Sequence, residues 1–261
     1  MNTRLETLRS RLKSRAPLIG TFVKTPSPIV CEVLTHCDFD VICLDAEHAP
    51  FGRVDIDGCV AALRAAQQPS LVRVSSGTAT HIREALDCGA TGILVPHVSS
   101  PQQAKELVLA ARFGSGGRGY SGSTRAAGFG DKSMGQHVAD SNSQTVIVAQ
   151  IEDVSALKLA GDIAAVDGID AIFIGRADLA VAMGKDPTSP EVMEATASIC
   201  AAGSAVGTAV GIFTSSLEEI PRWRTAGVSL FLLGSDQSLM VSAGRALVHS
   251  FHGRTAKARN P

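Results

Sequence analysis

A short apolar run followed by a helix-compatible stretch recurs eight times along this chain of 261 residues. Continuous apolar runs are typical of strands buried on both faces, and their alternation with helices predicts a parallel sheet. Eight strand–helix units over roughly 250 residues are typical of the closed (β/α)8 TIM barrel. The eight predicted strands are 18–23, 41–45, 70–74, 92–98, 145–151, 171–175, 209–213 and 230–234.

Signals for helix ends agree with this alternation. Three serine–proline pairs have the residue types of an N-cap and a first helical position, and three glycines stand where helices should end. The pairs are 27–28, 100–101 and 189–190, and the glycines are Gly89, Gly203 and Gly227. An open doubly wound sheet is the main alternative, but no GxGxxG motif follows the first strand. The closed barrel is therefore the favoured fold.

The barrel is expected to occupy residues 1–251 as a single domain. Leu5, Leu8 and Leu12 form one helical stripe, which predicts an N-terminal helix packed against the barrel. The tail over residues 252–261 is basic and ends in proline, so we expect it to be disordered.

The composition argues against several classes of partner. A net charge of −1 and only 4% aromatic residues give no basis for binding nucleic acid or an anionic membrane. No apolar run approaches the roughly 20 residues that span a bilayer, and no secretion signal is recognisable. The six cysteines form no CxxC pair and lie in apolar patterns, which predicts reduced, buried thiols in a cytoplasmic protein.

Residues 113–135 interrupt the strand–helix rhythm with a glycine-rich segment. A loop of this length is usually either functional or disordered. Its backbone amides could bind an anion, but it lacks the GK[ST] ending of a P-loop. We expect it to arch over the barrel mouth or over a neighbouring subunit.

Two carboxylates follow neighbouring strands of the predicted barrel. Glu152 comes directly after the fifth apolar run, and Asp178 follows the sixth. The carboxyl ends of the strands meet at one rim, where barrel enzymes have their active sites. Paired carboxylates suit a hard divalent cation such as Mg²⁺ or Mn²⁺. Asp178 by itself could be the N-cap of the next helix, but its pairing with Glu152 favours a metal site.

Other polar side chains are predicted at the same rim. Asp45 and His48 close the second strand, where a carboxylate beside an imidazole makes a better general base. Arg73, inside an apolar strand, must pair with an internal carboxylate or face an anionic substrate. Gln150 lies two residues before Glu152 and therefore on the same side of its strand. The other polar residues at predicted strand ends are Lys24, Glu47 and His97.

Six segments of the chain together resemble the HpcH/HpaI family of class II pyruvate aldolases. This family includes 4-hydroxy-2-oxoheptanedioate and 2-dehydro-3-deoxyglucarate aldolases, and the resemblance extends over residues 18–248. The segments are DFDVICLDAEHAP, the strand that contains Arg73, DCGATGILVPHV, RGYSGSTRA, AQIED and VDGIDAIFIGRADLAVAMG.

The resemblance implies a TIM barrel with a defined reaction, cofactor and assembly. The implied reaction is the reversible cleavage of a 4-hydroxy-2-oxo acid into an aldehyde and pyruvate, or a related 2-oxo acid such as hydroxypyruvate. The implied cofactor is Mg²⁺, Mn²⁺ or Co²⁺, and the implied assembly is a homohexamer that exchanges its C-terminal helix between neighbours. The implied site residues are Glu152 and Asp178 as metal ligands, His48 with Asp45 as the base, Arg73 as the enolate-stabilising group, Gln150 in the pocket, and Gly175, Arg176 and Ala177 at the carboxylate-binding turn.

Two positions depart from the family pattern. Position 176 is arginine where the family commonly has proline, and Lys24 lies near where many relatives have tryptophan. Either cation could favour an acidic acceptor or a differently charged donor, or point into solvent.

Three other functions are alternatives to the metal-dependent aldolase. A Schiff-base aldolase needs a lysine inside the barrel, and the predicted strands contain none. A citrate lyase β-like enzyme acting on an acyl-CoA thioester needs a basic groove for the CoA phosphates, and the sequence shows no dedicated basic cluster. A non-catalytic barrel would not need the charged groups that cluster at the predicted strand ends.

Overall fold

The eight apolar runs form one closed sheet in the computed structural model, which describes residues 7–257. Each strand pairs in parallel with the next, and the eighth pairs with the first. The predicted (β/α)8 barrel is therefore confirmed. The strands are β1 Leu18–Val23, β2 Val41–Asp45, β3 Ser70–Arg73, β4 Gly92–Val95, β5 Val146–Ile151, β6 Ala171–Ile174, β7 Ala209–Thr214 and β8 Val228–Ser235.

Helices follow the strands and cover the outside of the sheet. Their apolar faces pack on the strands through an extended cluster of buried aliphatic side chains. Within residues 7–257, no helix is both long enough and apolar enough to cross a membrane. The helices are α1 Leu8–Lys13, α2 Pro28–Leu34, α3 Arg53–Ala65, α4 Ala79–Asp87, α5 Pro101–Ala111, α6 Met134–Gln144, α7 Ala160–Ala164, α8 Arg176–Met183, α9 Pro190–Ala205, α10 Ile220–Thr225 and α11 Asp236–Lys257.

The largest difference from the predicted strand ends is in β4, which stops at Val95 instead of residue 98. The cause is His97, whose backbone is left-handed, with φ 56°. A residue in this conformation breaks the pleat of a strand. The chain therefore turns at the rim three residues earlier than its apolar pattern indicates.

Two of the three predicted serine N-caps are formed. The hydroxyls of Ser27 and Ser100 each accept the expected hydrogen bond from a first-turn N–H. Ser189 does precede α9, but its buried hydroxyl finds no partner among residues 7–257.

Gly203 does not end a helix as predicted. It lies inside α9, where an added Cβ would come within 2.6 Å of Val210 and 2.9 Å of Ile172. Glycine at position 203 therefore allows α9 to pack closely on the sheet. The turn after the helix contains Gly207, whose φ is positive. Gly89 and Gly227, in contrast, have positive φ just beyond α4 and α10, as predicted.

The amino-terminal end of the barrel interior is closed by α1. Leu8 and Leu12 are buried in the same cluster as the inward-pointing strand residues. Arg9 pairs with the buried Asp170 at 2.7 Å, which fixes the helix to the strand ends. The predicted N-terminal helix is confirmed, while Leu5 lies outside the described residues.

The glycine-rich segment connects α5 to α6 and lies against the outer helices. Arg118 pairs with Asp87 at the end of α4. Arg125 donates to both carboxylate oxygens of Asp57 on α3, at 3.0 and 2.6 Å. The expectation that the segment arches over its own barrel mouth is therefore wrong, because it follows a helix and packs on the outer surface. Contact with a neighbouring subunit stays a prediction.

The last helix, α11, extends further than expected and leaves the barrel surface. It runs to Lys257, so residues 252–257 are helical, whereas residues 258–261 of the predicted tail lie outside the described residues. Every residue from 237 to 252 is exposed, apolar side chains included. The exposed apolar side chains are Leu239, Met240, Val241, Leu247, Val248 and Phe251.

All six cysteines fall within the described range, and all are free thiols. Five are buried as predicted. Cys37 is exposed, because it lies in the short helical turn that follows α2.

Candidate active site

A cavity of about 420 Å³ opens at the carboxyl ends of the strands. Phe22, Phe173 and Phe213 supply an apolar wall in which the rings of Phe22 and Phe173 meet edge to face. The predicted site residues that line the cavity are His48, Arg73, Gln150, Gly175, Arg176, Ala177 and Asp178.

Arg73 and Asp45 form a buried ion pair beside the cavity. They are register partners on β3 and β2, so their side chains lie on the same side of the sheet. Arg73 donates from Nε to Asp45 Oδ1 at 2.9 Å and from Nη2 to Oδ2 at 2.7 Å. Burial by itself would raise the pKa of Asp45, but the guanidinium holds that pKa below its ordinary value. The sequence left open whether Arg73 pairs with a carboxylate or faces the cavity, and it does both.

The Asp45–His48 pair differs from the predicted dyad. Asp45 Oδ1 accepts a hydrogen bond from the backbone N–H of His48 at 3.1 Å, which fixes the turn after β2. The imidazole does not use Asp45, because Arg73 takes both carboxylate oxygens. Its Nε2 lies instead 3.5 Å from Oε2 of Glu47. Glu47 is therefore the carboxylate beside the ring.

Glu152 is buried under the turn after β6. Its Oε1 accepts the backbone N–H of His97 at 2.8 Å, and its Oε2 accepts the side-chain amide of Gln150. An added Cβ at Gly175 would lie 2.5 Å from Oε2, so only glycine lets this turn approach the carboxylate. Burial raises the pKa of Glu152 above its ordinary value.

Asp178 lies in the first turn of α8 and faces the cavity. It is not the N-cap that the alternative interpretation required, because the helix begins at Arg176 with Gly175 as its cap residue. In the described part of the chain, no side chain caps this helix. The carboxylate of Asp178 is close enough to Glu47 to help burial raise the pKa of that residue.

A second group of possible ligands surrounds Glu152. One donor atom each from Glu47, His97 and Glu152 lies within 4.8 Å of the other two. The sequence placed Glu47 and His97 at strand ends without giving either a role as a ligand. Their position directly after β2 and β4 was the available signal.

The family model for HpcH/HpaI aldolase/citrate lyase matches residues 18–243. The chain belongs to the HpcH/HpaI aldolase/citrate lyase family. It is therefore an enzyme of the lyase class, and the resemblance read from its motifs is confirmed.

Named members of the HpcH/HpaI family are similar over nearly the whole chain. A hydroxypyruvate/pyruvate aldolase of Paraburkholderia phytofirmans is 34% identical over 254 residues, which cover 94% of this chain and 97% of the relative. A 5-keto-4-deoxy-D-glucarate aldolase of Klebsiella pneumoniae is 32% identical over 246 residues, with 93% and 95% covered. The crystal structure of a family member from Burkholderia cenocepacia matches with a TM-score of 0.88 at 33% identity, covering 94% of this chain and 98% of that one.

The two cations that the sequence analysis singled out, Lys24 and Arg176, have different surroundings. Arg176 makes two 2.8 Å hydrogen bonds to Glu219, and Glu219 also accepts from Thr214 at 2.6 Å. Lys24 lines the cavity with its side chain one-third exposed, and its Nζ lies 3.5 Å from Asp45. The charge of Arg176 is thus neutralised by a carboxylate of its own, whereas Lys24 shares Asp45 with Arg73.

Proposed function

We propose that this protein is a divalent-metal-dependent aldolase. It would reversibly cleave a 4-hydroxy-2-oxo acid into an aldehyde and pyruvate, or a related 2-oxo acid such as hydroxypyruvate. The observation that carries the proposal is one cavity lined by a buried arginine, the carboxylate of Asp178 and an uncapped helix N-terminus, with the buried Glu152 directly against Gly175 of that lining. The names of the relatives support the same donor class.

The N-terminus of α8 suits the carboxylate of a 2-oxo acid. The first N–H groups of a helix have no partner within it, and the helix dipole favours an anion there. Gly175, Arg176 and Ala177 line the cavity at this turn. A donor bound here would place its keto group toward Arg73.

The acidic residues fit a divalent cation. Glu152 and Asp178 supply hard oxygen ligands, and the raised pKa of Glu152 indicates a buried carboxylate that a cation would stabilise. When bound, Mg²⁺, Mn²⁺ or Co²⁺ acts as a Lewis acid that polarises the keto group of the donor.

Arg73 would stabilise the negative charge of the enolate. Its pair with Asp45 leaves Nη1 for a substrate oxygen and fixes the plane of the guanidinium. A hydrogen-bond donor that is already oriented needs no reorganisation when negative charge develops on the enolate, so its electrostatic contribution to the rate is large. Asp45 is thus assigned a positioning role, while His48 would exchange a proton with the aldehyde oxygen from its half-exposed place at the cavity.

The acyl-CoA alternative has weaker support. A site for CoA needs free cations for its phosphates. Among the described residues that line the cavity, Arg73 and Arg176 are each paired with a carboxylate, which leaves Lys24 as a single cation for several phosphates. We therefore favour the 2-oxo acid.

Deuterium exchange at the methyl group of pyruvate, followed by proton NMR, tests this function. Wild-type protein stripped with chelator should exchange only after Mg²⁺, Mn²⁺ or Co²⁺ is returned. Glu152→Ala, Asp178→Ala and Arg73→Ala should each abolish exchange, while Glu191→Gln on the exposed face of α9 should not. Metal-stimulated exchange that persists in both carboxylate variants would contradict the proposed site.

We further propose that α11 packs on a second copy of the chain, in a homo-oligomer. An exposed helix with six large apolar side chains is unusual in a monomer. In a regular barrel the eighth helix packs beside the first. Here α11 is exposed instead, and α2, the helix after the first strand, exposes Ile29 and Val33 by 71% and 60%. Light scattering should show a multiple of the 27.1 kDa chain mass, which Leu247→Glu should reduce; a monomeric wild type would contradict the proposal.

A further inference from the structure

We infer that His97 is a direct ligand of the divalent cation proposed above at Glu152, with Glu47 as a neighbouring carboxylate, and that it biases the site toward borderline ions such as Co²⁺. This inference rests on the proposed metal dependence and extends it to the choice of metal. The predicted ligands Glu152 and Asp178 offer only oxygen atoms, whereas His97 adds a nitrogen.

The backbone after β4 holds the His97 ring at the site. The left-handed conformation of His97 directs its N–H to Glu152 Oε1 at 2.8 Å, and the next N–H, from Val98, donates to the carbonyl of Gln150 at 3.1 Å. Two hydrogen bonds therefore tie this turn to the end of β5. This turn also holds the His97 ring beside the carboxylate, with Nδ1 3.4 Å from Glu152 Oε1.

The separations between donor atoms suit a small cation. His97 Nδ1 lies 3.4 Å from Glu152 Oε1, and one donor atom from each of Glu47, His97 and Glu152 lies within 4.8 Å of the other two. Ligands held about 2.0–2.2 Å from one ion lie about 3.0–4.2 Å apart, depending on the angle between them. The separation between His97 Nδ1 and Glu152 Oε1 falls in that interval.

Glu47 supplies an independent observation that points to a cation. Its side chain is only 10% exposed, yet its buried Oε2 has no hydrogen-bond partner among the described residues. Arg73 Nε approaches this oxygen to 3.4 Å but donates to Asp45 instead. A buried carboxylate oxygen that accepts no hydrogen bond is costly, and a bound cation would compensate that cost.

A ligand set that adds an imidazole to carboxylates has a predictable preference. Imidazole nitrogen binds Co²⁺, Ni²⁺ and Zn²⁺ more strongly than Mg²⁺, which favours oxygen ligands. His97 should therefore contribute to the affinity for Co²⁺ and little to that for Mg²⁺. The competing interpretation is that His97 only forms an ion pair with Asp153, whose Oδ2 is 3.3 Å from Nδ1.

The test is metal titration of chelator-stripped, full-length protein by calorimetry, together with the visible absorption of bound Co²⁺. His97→Asn is the main variant, because asparagine tolerates the left-handed backbone but is too short to reach the ion. We expect it to weaken Co²⁺ binding by about tenfold or more and to change the Co²⁺ absorption bands, with Mg²⁺ affinity nearly unchanged. Asp153→Asn and the exposed His36→Gln should leave both readouts as in wild type.

The outcomes separate this inference from the proposed function. Equal Co²⁺ affinity and identical absorption bands in wild type and His97→Asn would overturn the role of His97 alone. Loss of Co²⁺ binding in Asp153→Asn as well would assign the effect to the ion pair and also overturn it. A wild-type protein that binds none of the metals would refute the proposed metal dependence itself.

Discussion

Replacing Gly175 by alanine is the sharpest steric test of the site. The added Cβ would lie 2.5 Å from Glu152 Oε2 and 2.6 Å from its Cβ, whereas real Cβ contacts are essentially never below 3.0 Å. The φ of Gly175 is −85°, which any residue can adopt, so the effect comes from the contact and not from backbone strain. Glu152 or the turn must move by several tenths of an ångström.

The expected cost follows from the buried position of both partners. Overpacking of this kind typically destabilises by about 1–3 kcal/mol. A displaced ligand or carboxylate-binding turn can cost about 100-fold in rate. We therefore expect Gly175→Ala to lower the free energy of unfolding in urea by that amount and to slow metal-dependent pyruvate exchange about 100-fold.

Gly135→Ala is the matched control. Gly135 is exposed in the first turn of α6, and an added Cβ there meets nothing within 4 Å. This change should stabilise the protein by about 0.5–1 kcal/mol, since alanine is the better helix former, and leave exchange unchanged. If Gly175→Ala kept the metal affinity and exchange rate of wild type, the geometry of the Glu152 site described above would be refuted.

Two further predictions concern charge at the site. Burial raises the pKa of Glu152, so ionising this carboxylate destabilises the folded protein; this cost is absent below the ordinary pKa of 4.5 and grows as the pH rises through the folded value. Metal-free Glu152→Gln should therefore have a higher melting temperature than wild type at pH 7 and the same one near pH 4, and added metal should no longer stabilise it. A lower melting temperature than wild type at pH 7 would contradict this reasoning. Lys24→Met should lower kcat/KM for an aldehyde with a carboxylate by about tenfold relative to glycolaldehyde, since a charge-assisted hydrogen bond contributes about 1.5–3 kcal/mol. Arg176→Met should not discriminate between the two aldehydes, because Glu219 already neutralises that arginine, and equal discrimination by both variants would refute the assignment.

Local patterns predicted the scaffold well because they follow from local physics. Strands β1 and β2 begin and end at the predicted residues, since an apolar run buried on both faces has abrupt ends. Ser27 and Ser100 cap helices because the capping bond spans only three residues. The early end of β4 was missed, because a left-handed backbone at His97 has no signature in the apolar pattern.

Partner choice among the site residues was harder to predict. Asp45 and His48 are three residues apart, which favoured a dyad, but the strand register gave Asp45 to Arg73. Arg176 found Glu219, 43 residues away, through the packing of neighbouring strand ends. Such pairs depend on which strands become neighbours and on how their registers align.

The sequence by itself determined the closed barrel and the rim at which polar groups collect, because alternation of strands and helices and the direction of parallel strands leave little choice. It also indicated that Glu152 and Asp178 follow neighbouring strands at that rim. Only the tertiary structure decided which partners the charges take, that His97 and Glu47 surround Glu152, and that α11 leaves the barrel. These outcomes depend on distances between residues far apart in the chain, and a sequence pattern carries no such distances.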